Sequence, residues 1–204
     1  MFKGQLEAIS LVLIAGIVLS LAGAAYVWVM PTIEKRTTAT DIATAESFMK
    51  QLSNAIITAA NTENYAQSFT VPVGGTISVN TSDNRTIIFR FTTGQPMIQT
   101  GEGSVPVPID SVNLEPVGSQ GESPRYITLE GENIGDHYLM TMKMFLRELT
   151  TDTPPEKGYV IMLVPEAQTG SRQISVSHGS TEIDEDMADN GGDLVKTMVK
   201  VTIS

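Results

Sequence analysis

No charged residue occurs between Glu7 and Glu34, and the stretch 8–30 is almost wholly Ile, Leu, Val, Ala and Gly, closing with Tyr26 and Trp28. A run of this kind leaves few options. Taken as helix over residues 9–30 it spans about 33 Å, against a hydrocarbon core of about 30 Å. Tyr26 and Trp28 stand where an interfacial aromatic belt stands, and Pro31 follows as the chain turns polar. Lys3 lies on one side of the run and Lys35 with Arg36 on the other, so positive charge does not set the orientation.

Composition narrows the rest. The 204 residues suffice for one globular body plus this appendage. A net charge of −10 repels phosphate backbones, which argues against nucleic-acid binding. With no cysteine, neither a disulfide framework nor a thiolate metal site can form, and the core alone must hold the fold.

Beyond Pro31, Ile42, Ala45, Met49, Leu52, Ile56 and Ala59 recur at steps of three and four, which predicts an amphipathic helix over 41–60 with Asp41, Lys50, Gln51 and Asn54 on its polar face. Pro31 removes one backbone bond and kinks or interrupts the helix without forbidding its continuation, so residues 5–60 read as one long helix. From Gln67 the period shortens to that of strands, expected at 68–73, 76–80, 86–92, 125–130, 138–146, 159–164, 172–177 and 196–203. Gly74-Gly75 is expected to make a tight hairpin turn. The fold class is therefore α+β, a long apolar helix followed by an all-β, Ig-like sandwich over 61–204.

Three fates are open to the apolar segment. A secretory signal would be cut after Ala22-Gly23-Ala24, but the apolar run continues beyond that point and is longer than a signal core. A plain membrane anchor needs only length and hydrophobicity. The third rests on the first residues, where Lys3-Gly4 is followed by Gln5 and Glu7 and at once by the apolar run. This resembles an archaeal type IV prepilin over about the first thirty residues. The resemblance implies a leader of residues 1–4, cleavage between Gly4 and Gln5 by a prepilin peptidase, and a retained helix that packs against its copies in a filament core. The glutamate that many such subunits carry at the fifth mature position would fall at Ile9, so Glu7 is the nearby acid left to meet a neighbour's free amine. Filament-core contacts are then expected from Glu7, Ile9, Leu13, Gly16, Ser20, Ala24 and Trp28, with Gly16-Ser20-Ala24 in small-xxx-small spacing.

The expected function is structural: a subunit of an extracellular filament, serving adhesion, with copies of itself, the peptidase and an assembly machine as partners and the membrane as its location before assembly. The alternative is an anchored exterior binding domain that never polymerises, akin to a minor pilin or an archaellum stator subunit. No cofactor or metal is expected. Asn80-Thr81-Ser82 and Asn84-Arg85-Thr86 are two N-glycosylation sequons on an expected hairpin tip. The acidic stretch 184–193 offers hard oxygens, but its spacing fails the EF-hand pattern and it reads as an exposed acidic loop. An enzyme would need His137 or His178 beside a carboxylate and a hydroxyl, and no motif surrounds either.

Overall fold

The computed structural model describes residues 3–94, 107–108, 114–151, 153–168 and 172–204. It begins with a single α-helix, α1 (Lys3–Asn61), whose 59 residues extend for about 88 Å. The helix runs without interruption through Pro31, so the ring's missing donor is absorbed within it.

Eleven strands follow among the described residues: β1 (Ala66–Thr70), β2 (Thr76–Val79), β3 (Thr86–Thr93), β4 (Val107–Pro108), β5 (Val117–Ser119), β6 (Arg125–Asn133), β7 (Tyr138–Leu146), β8 (Glu148–Thr150), β9 (Lys157–Gln168), β10 (Gln173–Asp184) and β11 (Asp193–Ile203). They form two sheets, in the orders β1-β10-β11-β9-β8-β5 and β2-β3-β7-β6-β4. The chain is thus α+β, with a β-sandwich head behind one long apolar helix. Each of the eight expected strands is present. β9, β10 and β11 run well past their expected limits, and β4, β5 and β8 are additional.

In the second sheet period-two alternation is plain. Along β7, Met140, Met142, Met144 and Leu146 are buried while Thr141, Lys143 and Phe145 turn outward. Lys143 pairs across the outer face with Glu130 at 2.8 Å, and Phe145 stacks on Tyr126 with ring centroids 4.7 Å apart. The first sheet is mixed. The C-terminal strand β11 lies antiparallel to β10 and parallel to β9, so the last residues of the chain hold the middle of the sheet.

Gly74-Gly75 does not close a hairpin. β1 belongs to the first sheet and β2 to the second, so this turn carries the chain across the sandwich. Gly74 has φ +58, and a Cβ on Gly75 would stand 2.3 Å from the Phe89 ring, which is why the crossing uses glycine.

One core unites helix and head. The helix residues Ile42, Ala45, Met49, Leu52, Ile56 and Ala59 are all buried, and they share a continuous cluster with Phe89 and Met142 of the second sheet and Val176 and Val201 of the first. Phe48 packs on Phe89 at 5.5 Å. Thr38 and Ser53 also lie on the buried side, so the enclosed stripe begins a turn earlier than the apolar periodicity announces. At the helix end Nδ1 of His178 donates to the Ala59 carbonyl at 2.7 Å, a partner that can only accept, which fixes the tautomer. Asn61 caps the Ile57 carbonyl from its own side chain at 2.8 Å.

Because Leu52 is enclosed by both sheets, Leu52→Ala should cost about 2–5 kcal/mol, as large-to-small changes do where a cavity cannot collapse. Urea denaturation of the intact chain in detergent, followed by near-ultraviolet circular dichroism, measures this; a change no larger than that of a surface control such as Gln51→Ala would refute the shared core.

Candidate functional site

The strongest feature on the surface is the first half of α1. It is long and apolar enough to cross a membrane, and none of its most apolar eighteen-residue window is buried inside the molecule. Leu19 is 73% exposed and Trp28 83% exposed, with Leu11, Leu13, Ile14, Ile17 and Leu21 also bare. A contiguous apolar surface of this size on a folded chain marks contact with lipid or with protein. It is not the core helix of a soluble domain, since that helix would be covered.

Several hydroxyls on this helix are paired with its own backbone. Ser20 donates to the Gly16 carbonyl at 2.8 Å, and Thr37, Thr40 and Thr44 each donate to a carbonyl four residues back at 2.8–3.1 Å. This pairing lowers the cost of taking those four hydroxyls into a low-dielectric environment. Gly16 and Gly23 have no atom within 4 Å of where a Cβ would stand. Each costs about 0.5–1 kcal/mol relative to Ala in a helix, and no internal contact offsets that cost.

Of the expected filament-core residues, Leu13, Gly16, Ser20, Ala24 and Trp28 lie exposed along this half of α1. Gly4 and Gln5 fall in its first turn. The side chains of Glu7 and Ile9 lie outside the described ones.

The sequons sit in the β2–β3 hairpin loop, as the sequence suggests, but in unequal settings. Thr81 and Ser82 are exposed, and the Asn80 side chain accepts the Ser82 amide at 3.2 Å. Asn84 takes φ 51 and its carbonyl accepts the Leu163 amide of β9 at 2.7 Å, which pins the loop to the opposite sheet. Thr86 is buried, and its hydroxyl donates to Asp83 at 2.6 Å. The same carboxylate accepts the amides of Arg85 and Thr86. Partial burial pushes the Asp83 carboxyl up, but the Thr86 hydroxyl, these two amides and the Arg85 charge outweigh it and leave the group below its ordinary value.

Among the described residues neither histidine side chain is hydrogen-bonded to a hydroxyl or a carboxylate. His178 is held at the helix end, and His137 stands on the exposed turn between β6 and β7. The acidic stretch is less free than expected. Asp184 pairs with Lys196, the Asp189 amide donates to the buried Glu148 at 2.8 Å, and Asn190 reaches the Thr151 carbonyl at 2.9 Å, so the loop lies back against β8 and its flank. Among the described residues no group of three or more His, Asp or Glu side chains is arranged to hold a metal.

Sequence reasoning missed a second surface feature, an open trough of about 820 Å³ between α1 and β1. Ala39, Ala43 and Ser47 line it at steps of four, a pattern visible in the sequence but submerged in a polar-looking stretch. No family model, curated protein or solved structure matches this chain.

Two outcomes are expected. A chain beginning at Glu34 should stay soluble without detergent and melt within a few degrees of the intact protein, because the bare half of α1 adds nothing to the core; aggregation or loss of the cooperative melt would show that half to be needed for folding. Asp83→Asn should cost about 1 kcal/mol at neutral pH, counting the hydrogen bonds and discounting the charge for solvent. The folded carboxyl is lowered, so its stabilisation is present above the ordinary value of about 3.9 and fades as pH falls through the folded one. Melts of the two proteins should therefore converge in acid, and a constant gap would contradict the assignment.

Proposed function

We infer that this chain is the structural subunit of an extracellular filament of the archaeal type IV pilus kind, polymerised through its N-terminal helices and carrying its β-sandwich outward for adhesion. The observation that carries this reading is the division of one unbroken helix. Its second half is the spine of the head's core, and its first half carries an uncharged apolar stretch whose most apolar eighteen-residue window is covered by nothing in its own chain. A membrane suits that half before assembly, and copies of itself suit it afterwards, since both are apolar.

The Lys3-Gly4-Gln5 junction supports processing, and on this reading a prepilin peptidase cuts before Gln5 and an assembly machine draws the helix from the bilayer. The role requires no catalysis. Copies stacked head to tail make a heterologous contact that does not close, which is the geometry of an open filament. Glycosylation of the outward head also belongs to the reading, at Asn80 in preference to Asn84. An N-glycosyl acceptor must present its sequon hydroxyl, and Thr86 has spent its own on Asp83 inside the fold.

The test is the intact mass of the protein recovered from cell surfaces, with electron microscopy of the sheared material. A chain starting at Gln5 within filaments supports the proposal, with any glycan mapping to the peptide of Asn80 and lost in Asn80→Gln but kept in Asn84→Gln. An uncut chain without filaments supports instead the anchored, non-polymerising domain. A start near Ala25 would mean a secreted protein and would overturn both.

A further inference from the structure

We propose that the trough beside α1 receives the bare apolar helix segment of a second copy of this chain; this rests on the filament reading and names the surface it would use. The trough is bounded on one side by the outward face of α1 over residues 39–51 and on the other by β1, the edge strand of the first sheet, with Pro72 beyond it. It is the character of its walls that selects the occupant.

No residue lining the trough is charged, on a chain whose net charge is −10. The polar side chains along its helix wall are also turned inward on themselves. Thr40 and Thr44 donate to carbonyls of their own helix at 2.9 and 2.8 Å, and Gln51 donates to the Ser47 hydroxyl at 3.1 Å. On the facing wall the Ser68 hydroxyl is paired with that of Ser175 at 2.8 Å. What remains toward solvent is divided between methyl and ring surface, including Phe48 and Phe69 at depth, and polar atoms most of which are already paired within the walls. Ala39, Ala43 and Ser47 keep the floor low, so a neighbouring helix backbone can approach closely.

The chain itself supplies a matching object. Residues 11–33 are helical and uncharged, all but the half-buried Met30 are exposed, and Gly16, Ser20 and Ala24 offer a small face of the same spacing. An uncharged trough whose hydroxyls are mostly paired within its own walls can cover an uncharged apolar helix with little polar desolvation, whereas a charged partner would lose hydration there without compensation. The occupant cannot come from the same molecule, because both elements belong to one continuous helix, α1. The two surfaces are centred about 23 residues apart, so a neighbour seated in this way is displaced by about 35 Å along the helix axis. Residues 11–33 of one copy meet residues 39–51 of the next, a heterologous contact that repeats without closing.

Absence of native cysteine makes the contact directly testable. A43C, exposed on the trough wall, is paired in turn with a cysteine replacing Val12, Ile17, Leu19 or Leu21, and oxidised on intact cells making the full chain. Sheared material is imaged in parallel. At least one pair should give disulfide dimer roughly tenfold above a control pair of A43C with E132C, because contact raises the local thiol concentration. A43C alone should stay monomeric, since a head-to-tail contact does not bring position 43 to its own copy. Filaments without such dimers would overturn this inference and leave the filament reading standing. Dimers without filaments would uphold the docking and overturn the filament. Equal dimer from A43C alone would mean a two-fold contact and overturn the proposal, as would quenching of a fluorophore at Ala43 by brominated lipid chains with no dimer. A43W should also cut filament yield severalfold while its detergent-solubilised melt matches the parent; unchanged filaments would count against the trough.

Discussion

Everything in this structure depends on one buried stripe. Ile42, Ala45, Met49, Leu52, Ile56 and Ala59 face both sheets at once, and through them the helix is part of the head rather than an attachment to it. The sandwich alone would leave its inner faces partly unfilled, and the helix alone would leave a hydrophobic stripe in water. Each completes the other. The long apolar segment is then presented to its surroundings by an element that cannot be released without opening the core.

That arrangement demands that the helix live in two solvents, and its polar groups are organised accordingly. Ser20 on the first half and Thr40 and Thr44 at the trough bond backward to carbonyls, which lowers the cost of carrying these hydroxyls where water is absent. At the other end, where the helix stops inside the head, the free carbonyls of its last turn find His178 and Asn61. The head carries its excess acid mostly outside the core, with Glu130 held to Lys143 and Glu166 to Lys200 at its surface. An exposed pair such as Glu166 with Lys200 adds little stability, and the net charge instead keeps heads soluble and discourages their indiscriminate association.

Much of this was legible in the sequence. The uncharged run predicted the bare helix, the three-four recurrence predicted six residues of its buried stripe, and a strand was expected over the residues that form β7. What escaped was long-range. Nothing local in Asp193–Ile203 says that this strand enters between β9 and β10, because pairing partners far along the chain are chosen by packing rather than by propensity. Gly74-Gly75 has the composition of a hairpin turn, yet the demand it meets is the Phe89 ring pressed against its backbone. In the candidate site, the exposed apolar residues were anticipated, whereas the trough was not, since it exists only once β1 lies beside the helix. Similarly, Asn84-Arg85-Thr86 is a complete sequon on paper, and only folding shows its threonine occupied.

The uninterrupted course of α1 through Pro31 has an angular consequence. With no hinge between the bare half and the enclosed half, the azimuth of the head is set by counting residues along one screw. Each residue advances that phase by about 100°, so the length of the stretch between Trp28 and Thr38 works as a clock hand that points the sandwich in one direction relative to any chosen face of the apolar segment. Exchanging one side chain there leaves the direction unchanged, whereas adding or deleting a single residue swings the entire head through more than a quarter of a turn.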